Sequence, residues 1–219
     1  MKTAVRPLTC LPLFWAHLWA QQLDVMFVLE SSPGTEQQIG LIRPRDLKEG
    51  DRAGIIGYTR SVYLLQSLTE DREALAKALQ RAGMRITIGL HSGQTPAGGR
   101  RSPGVQTVQG DTVDLSGALR QALRELGDRG SEVRKRVVIV LDANEDPMLG
   151  DNLDSLKALV AASRTRVFAV AITVGSGRGY SFPVMTAQFL DQLANDSGGR
   201  VFRGAWDLKS ILAAAARKP

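Results

Sequence analysis

Few side chains in this sequence are of the kinds that do chemistry unaided. There is one cysteine, Cys10, and there are two histidines, His17 and His91. A thiol nucleophile needs a base beside it, and a Cys- or His-based zinc site needs several such ligands at short spacing. Once the first twenty residues are set aside, as argued below, no cysteine and only His91 remain, and both chemistries are excluded. His91 precedes Ser92, but a serine nucleophile also needs its base oriented by a third group, so the pair reads as part of a loop. Ser31, Ser32 and Asp142 form no nucleophile-elbow pattern. The stretch GSGRG (Gly175 to Gly179) follows an apolar run as a phosphate loop would. It has the spacing of neither glycine fingerprint, and turn formation explains it. Arg100 and Arg101 have no interleaved aromatics, so no surface for stacking nucleic-acid bases is indicated. The formal net charge of +6 permits an acidic partner without implying nucleic acid. What remains is a set of hydroxyls and carboxylates directly after apolar runs, ESSPGT at 30–35 and DANED at 142–146. By themselves such groups satisfy loop amides and cap helices.

The elements that would position them can be read from periodicity. Asp24 to Leu29 (DVMFVL) and Arg136 to Leu141 (RVVIVL) are continuous apolar runs, the pattern of strands buried on both faces. Ala53 to Thr59, Ser61 to Ser67, Arg166 to Val174 and Gly199 to Arg203 are further strand candidates. Ala74, Leu75, Ala78, Leu79 and Ala82 form a helical stripe that Gly83 is expected to close. Leu115, Ala118, Leu119, Ala122, Leu123 and Leu126 form another, stopped by Gly127. Helices are also expected over Asn152 to Ser163, Pro183 to Asn195 and from Trp206. Met84 to Gln109 is rich in Gly, Pro and Arg and reads as one long surface loop with a short strand at Arg85 to Ile88. Strands alternating with helices of this length make an α/β fold, three layers with a mostly parallel central sheet covered on both faces. In such a sheet the functional loops follow the carboxyl ends of the strands, here Glu30 to Thr35, Asp142 to Asp151 and Gly175 to Ser181.

The first twenty residues differ from the rest. Lys2 and Arg6 precede the apolar stretch LTCLPLFWAHLWA, and no acidic residue occurs before Asp24. A basic start, a short apolar run and a small residue at its end are the parts of a secretory signal peptide, with cleavage expected after Ala20. The run is shorter than the roughly 20 apolar residues of a membrane span and is interrupted by Pro12 and His17. The expectation is a signal peptide over 1–20, a single domain over 21–219 with no membrane span, and a secreted or periplasmic location.

The order of motifs resembles a von Willebrand factor type A (vWA) domain, with its Rossmann-like three-layer fold. Four stretches carry the resemblance: LDVMFVLESSPGT, GDRAGIIGYTRSVYLLQSLTEDREALAKAL, GDTVDLSGALRQAL and LANDSGGRVFRGAWDLKSIL. It implies a metal-ion-dependent adhesion site, in which Asp-x-Ser-x-Ser after the first strand, a Thr in a middle loop and an Asp after the central strand hold a divalent ion. Hydroxyls and carboxylates are the hard oxygen donors that Mg²⁺ takes at about 2.0–2.1 Å in octahedral geometry. An acidic residue of the partner protein completes the shell.

Matched to that pattern, this chain departs from it. Glu30 falls at the first Asp, Ser32 matches the first Ser, Gly34 falls at the second, and Thr112 matches the threonine. Ala143 falls at the last Asp, with Asp142 one place earlier. Glycine and alanine bring no side-chain oxygen, and Glu30 reaches about 1.5 Å further than aspartate into a shell with little tolerance. No resident cofactor is therefore expected, with Mg²⁺ or Mn²⁺ at most weakly held by the remnant Glu30, Ser32 and Thr112. The implied function is non-enzymatic binding of another protein, with Ser31, Gly34, Asn144 and Glu145 on the contact loops. Two alternatives stand beside it: a metal-dependent module that completes its shell with Asp142, Asn144 or water, and a hydrolase or nucleotide-binding enzyme on the same kind of sheet. Pro44 breaks the helix expected over Gln37 to Leu47 and threatens to leave one flank of the sheet thinly covered.

Overall fold

A computed structural model describes residues 22–32, 35–59, 61–91, 107–109, 115–127, 133–142, 153–172, 184–204 and 206–216. All eight residues of the first strand, β1 (Leu23–Glu30), are buried. A strand with no polar face must be covered on both sides, and β1 accordingly sits inside the sheet. It pairs in parallel with β2 (Arg52–Tyr58) on one side and β5 (Arg134–Asp142) on the other. Beyond β5 come β6 (Arg166–Ile172) and β7 (Arg200–Arg203), both parallel. Beyond β2 come β3 (Ser61–Thr69) and β4 (Thr107–Gln109), each antiparallel to its neighbour. The order is β4-β3-β2-β1-β5-β6-β7, one mostly parallel sheet.

Strand alternation sorts the core into two layers. Val25, Phe27, Leu29, Ile55, Val138, Val140 and Phe168 pack under α1 (Glu36–Ile39), α2 (Arg72–His91) and α6 (Leu208–Ala216). Met26, Val28, Ile56, Ile139 and Leu141 pack under α3 (Leu115–Leu126), α4 (Leu153–Ser163) and α5 (Val184–Asp196). This is the three-layer α/β architecture of the vWA type. At the amino end of the sheet, Arg52 forms an ion pair with the fully buried Asp24 and so joins β2 to β1. Arg136 is buried too. Its guanidinium donates to the Ala215 carbonyl in the last turn of α6 at 2.8 Å and to the Lys135 carbonyl at 2.7 Å. Burial, with Arg166 and Arg134 nearby, lowers its pKa to about 10. At the other end of α6 the Asp207 carboxylate accepts from the amide and hydroxyl of Ser210, each at 2.8 Å. These bonds hold its carboxyl below the usual range.

Three segments differ from the sequence reading. The stripe expected to close at Gly83 continues to His91, and the strand expected over Arg85 to Ile88 lies within that helix. A glycine in a helix interior costs only about 0.5–1 kcal/mol, too little to end a helix by itself. Gly83 is therefore tolerated rather than used as a stop. The long loop expected over Met84 to Gln109 accordingly contains the end of α2 and the strand β4. The helix expected over Gln37 to Leu47 is a four-residue α1 followed by a 3-10 turn, Pro44–Asp46. Pro44 opens that turn, where its missing N–H breaks no bond. Ile39, Ile42 and Leu47 are buried, and the gap they leave above Phe27 and Ile55 measures only about 10 Å³, no more than one water needs. The flank is closed.

The stop at Gly127 is as expected. Its φ is +56°, its amide donates to the Leu123 carbonyl at 3.1 Å, and its own carbonyl receives the Lys135 ammonium at 2.6 Å. A side chain in the left-handed region costs roughly 1–2 kcal/mol. Gly127→Ala is therefore expected to lower unfolding free energy by about 1 kcal/mol, visible as a shift of the urea midpoint with an unchanged slope.

Candidate functional site

The chain lays β2, β3 and β4 to one side of β1, and β5, β6 and β7 to the other. The next strand in sequence after β1 is β2, on one side, and the next after β5 is β6, on the other. A crevice at such a switch point is the usual binding position of an open α/β sheet. Leu29 is level with Val140, so Glu30 and Asp142 end neighbouring strands within about one residue of the same height. Position 142 falls in the alternation class of Val138 and Val140, while Glu30 falls in that of Met26 and Val28. The two acidic positions thus belong to opposite classes of the pleat.

Glu30 lies beside Tyr58 in register, and Glu30, Ser32 and Thr35 are all buried, Thr35 completely. The Ser31 amide donates to the Tyr58 carbonyl at 2.8 Å, carrying the β1–β2 ladder one step past the strand end. Thr35 then closes the turn. Its hydroxyl donates to the Glu30 carbonyl, lies 2.9 Å from the Ser32 carbonyl, and accepts from the Ser32 amide at 3.2 Å. Its own amide donates to the Ser32 carbonyl at 3.1 Å, and its carbonyl receives the amides of Gln38 and Ile39 as α1 begins. The Ser32 hydroxyl faces the Thr35 hydroxyl oxygen at 3.5 Å. One threonine side chain thus bonds the described backbone groups of Glu30 and Ser32. The sequence reading placed Thr35 in the contact loop without giving it a role. The available signal was its spacing, a threonine three residues after a serine, which suits local side-chain-to-backbone bonding.

Of the residues singled out from sequence, the structure brings Glu30, Ser31 and Ser32 together at the rim, with Ser31 half-buried. The backbone of Asp142 ends the adjoining β5. Gly34, Thr112, Asn144 and Glu145 lie outside the described residues, as do residues 1–20 with the expected signal peptide. Among the described residues no three His, Cys, Asp or Glu side chains gather where they could hold a metal ion. Of the positions of the octahedral shell set out above, the structure describes the side chains of Glu30 and Ser32. They amount to one buried glutamate and one serine hydroxyl that faces Thr35 inside the loop.

No protein-family model matches the sequence, and no curated protein matches it. Solved structures do. An aerotolerance-related membrane protein from Bacteroides fragilis, carrying several mutations to serine, is 15% identical, with a TM-score of 0.55 over 88% of this chain and 98% of its own. BatB from Bacteroides thetaiotaomicron is 16% identical, with a TM-score of 0.54 over 88% of this chain and 95% of its own. A von Willebrand factor type A protein from Catenulispora acidiphila is 12% identical, with a TM-score of 0.55 over 90% of this chain and 41% of its own. At these identities the likeness is one of fold, and the fold is of the vWA type.

Proposed function

We propose that the chain is an exported, non-enzymatic module that binds another protein through the rim at the carboxyl ends of β1 and β5. Residues 1–20 would be a leader and residues 21–219 a single domain. The vWA-type fold supports an interaction role, and domains of this type commonly bind other proteins. The observation that carries the reading is the Thr35 hydroxyl. It bonds the described residues at both ends of the loop after β1, which supports a loop that keeps its shape without a cation. With no metal to capture a carboxylate, the partner would be held by loop shape and hydrogen bonds. Ser31, Gly34, Asn144 and Glu145 are the contact residues in this reading. Any weakly held Mg²⁺ or Mn²⁺ would fall on Glu30, Ser32 and Thr112. The basic and then apolar start of the sequence supports export. Among the described residues no helix is long and apolar enough to cross a membrane.

Thermal unfolding in Mg²⁺, in Mn²⁺ and in EDTA tests the metal-free part of this reading. The expected result is one melting temperature in all three. A resident ion at 100 times its dissociation constant would add about 2.7 kcal/mol. A stabilisation of that size, abolished in Glu30→Ala and Thr112→Ala, would establish the metal-dependent alternative instead.

A further inference from the structure

At the amino end of the sheet, away from the rim, described residues line a cavity of about 620 Å³. The seven steps along β1, at about 3.3 Å each, put it roughly 23 Å from Glu30. Pockets of about 300–1,000 Å³ are of the size that takes small organic ligands. Leu23 gives it an apolar floor where β1 begins, and Leu212 and Ala213 of α6 form one wall. Leu208, Ile211 and Ala215 seat that helix in the core. Toward residues 46–51 it offers only a methyl group at Ala213, so the space between them stays unfilled. The opposite wall is pinned in place. The Asp51 carboxylate accepts from the amides of Leu23 and Lys48, each at 3.1 Å. Gln22 donates through its side-chain amide to the Gly50 carbonyl at 2.8 Å, and Arg72 donates to the carbonyls of Lys48 and Asp51. A site shaped before its ligand arrives loses less on binding.

The charges around the cavity decide what it would take. Lys48, Arg134 and Lys209 line it, and so do Asp46, Glu49 and Asp51. The Asp51 carboxylate is already used by two amides, with the Arg72 guanidinium at its carbonyl, which leaves three cations against two carboxylates. More positive charge stands behind them. Arg134 and Arg136 fall on the same face of β5, and Arg136 is level with Arg166 of β6. After burial, Arg166 and Arg134 lower the Arg136 pKa, so the three charges share one field. We propose that this cavity binds a small organic monoanion, a single carboxylate on an apolar body. The body lies against Leu23, Leu212 and Ala213, and the head meets Lys48, Arg134 and Lys209. The planar guanidinium of Arg134 suits a carboxylate, and the exposed lysines add charge at the mouth. Asp46 and Glu49 oppose a second negative group on the ligand. The inference does not rest on the rim or on the function proposed for it.

Titration of octanoate into the isotope-labelled protein, followed by amide NMR, tests it. The expected result is saturable shifts at the amides of Leu23, Gly50 and Ala213, with a dissociation constant of about 1 mM or tighter. Octylammonium has the same chain with the opposite charge and is expected to bind about tenfold more weakly. Ala213→Trp fills the cavity from an exposed position. It is expected to abolish the shifts with an unchanged melting temperature. The double variant Lys48→Glu, Lys209→Glu alters two exposed side chains and is expected to weaken octanoate about tenfold. Shifts that do not saturate by about 10 mM, or that fall at the rim instead, overturn the proposal. So does octylammonium binding as tightly as octanoate, or either variant binding octanoate as the wild type does.

Discussion

Replacing Thr35 with valine is expected to destabilise the protein by about 2–4 kcal/mol, although the two side chains have nearly the same shape. The position is fully buried, so water cannot stand in for the lost hydroxyl. The Glu30 carbonyl loses the Thr35 hydroxyl and the buried Ser32 amide loses its acceptor. Leaving a buried polar group unpaired costs about 1–3 kcal/mol, and a lost hydrogen bond at the carbonyl adds to it. Thr35→Ser keeps the oxygen and is expected to recover most of the loss. Urea unfolding of the three proteins gives the comparison. If valine were tolerated within about 0.5 kcal/mol, the ordinary range of a surface substitution, the hydroxyl would not be what fixes the loop.

The second large effect is expected at the opposite end of the sheet. Arg52→Met removes the ion-pair partner of Asp24, whose side chain is wholly out of solvent. Breaking a buried pair from one side costs about 3–5 kcal/mol, because the remaining charge stays out of water after losing its Arg52 guanidinium. Replacing both members by apolar residues of similar volume removes that burden. The double variant Asp24→Leu, Arg52→Met is therefore expected to lie within about 1 kcal/mol of the wild type. A double-mutant cycle measured by denaturant unfolding would show strong coupling between the two sites. Simple addition of the two single losses would mean that the pair is not what joins β1 to β2 there.

The central strands were legible in sequence because burial on both faces leaves no room for polar residues. RVVIVL at 136–141 can be little else, and the structure buries every one of these residues. The stripe from Leu115 to Leu126 was equally clear, since all six of its periodic positions face the core and a positive-φ glycine follows. Gly83 looks like a stop in sequence, but a glycine inside a helix costs only about 0.5–1 kcal/mol and α2 runs on to His91. The strand β4 pairs over only three residues in a Gly- and Pro-rich stretch, too short for alternation to register. At the rim, Glu30 and Ser32 were found by their types and position. Thr35 was not given its role because its importance comes from which way its hydroxyl turns, and spacing alone does not encode that.

The pairing of β1 also bears on how the chain is made. Val25 lies opposite Arg136, so one whole side of the first strand waits for a segment synthesised more than a hundred residues later. Throughout that interval DVMFVL has β2 to pair with on one edge, while its other edge stays open. Contacts so distant in sequence form slowly, and such an open edge is prone to aggregate. A holdase that shields residues 24–29 during translation would suit this topology.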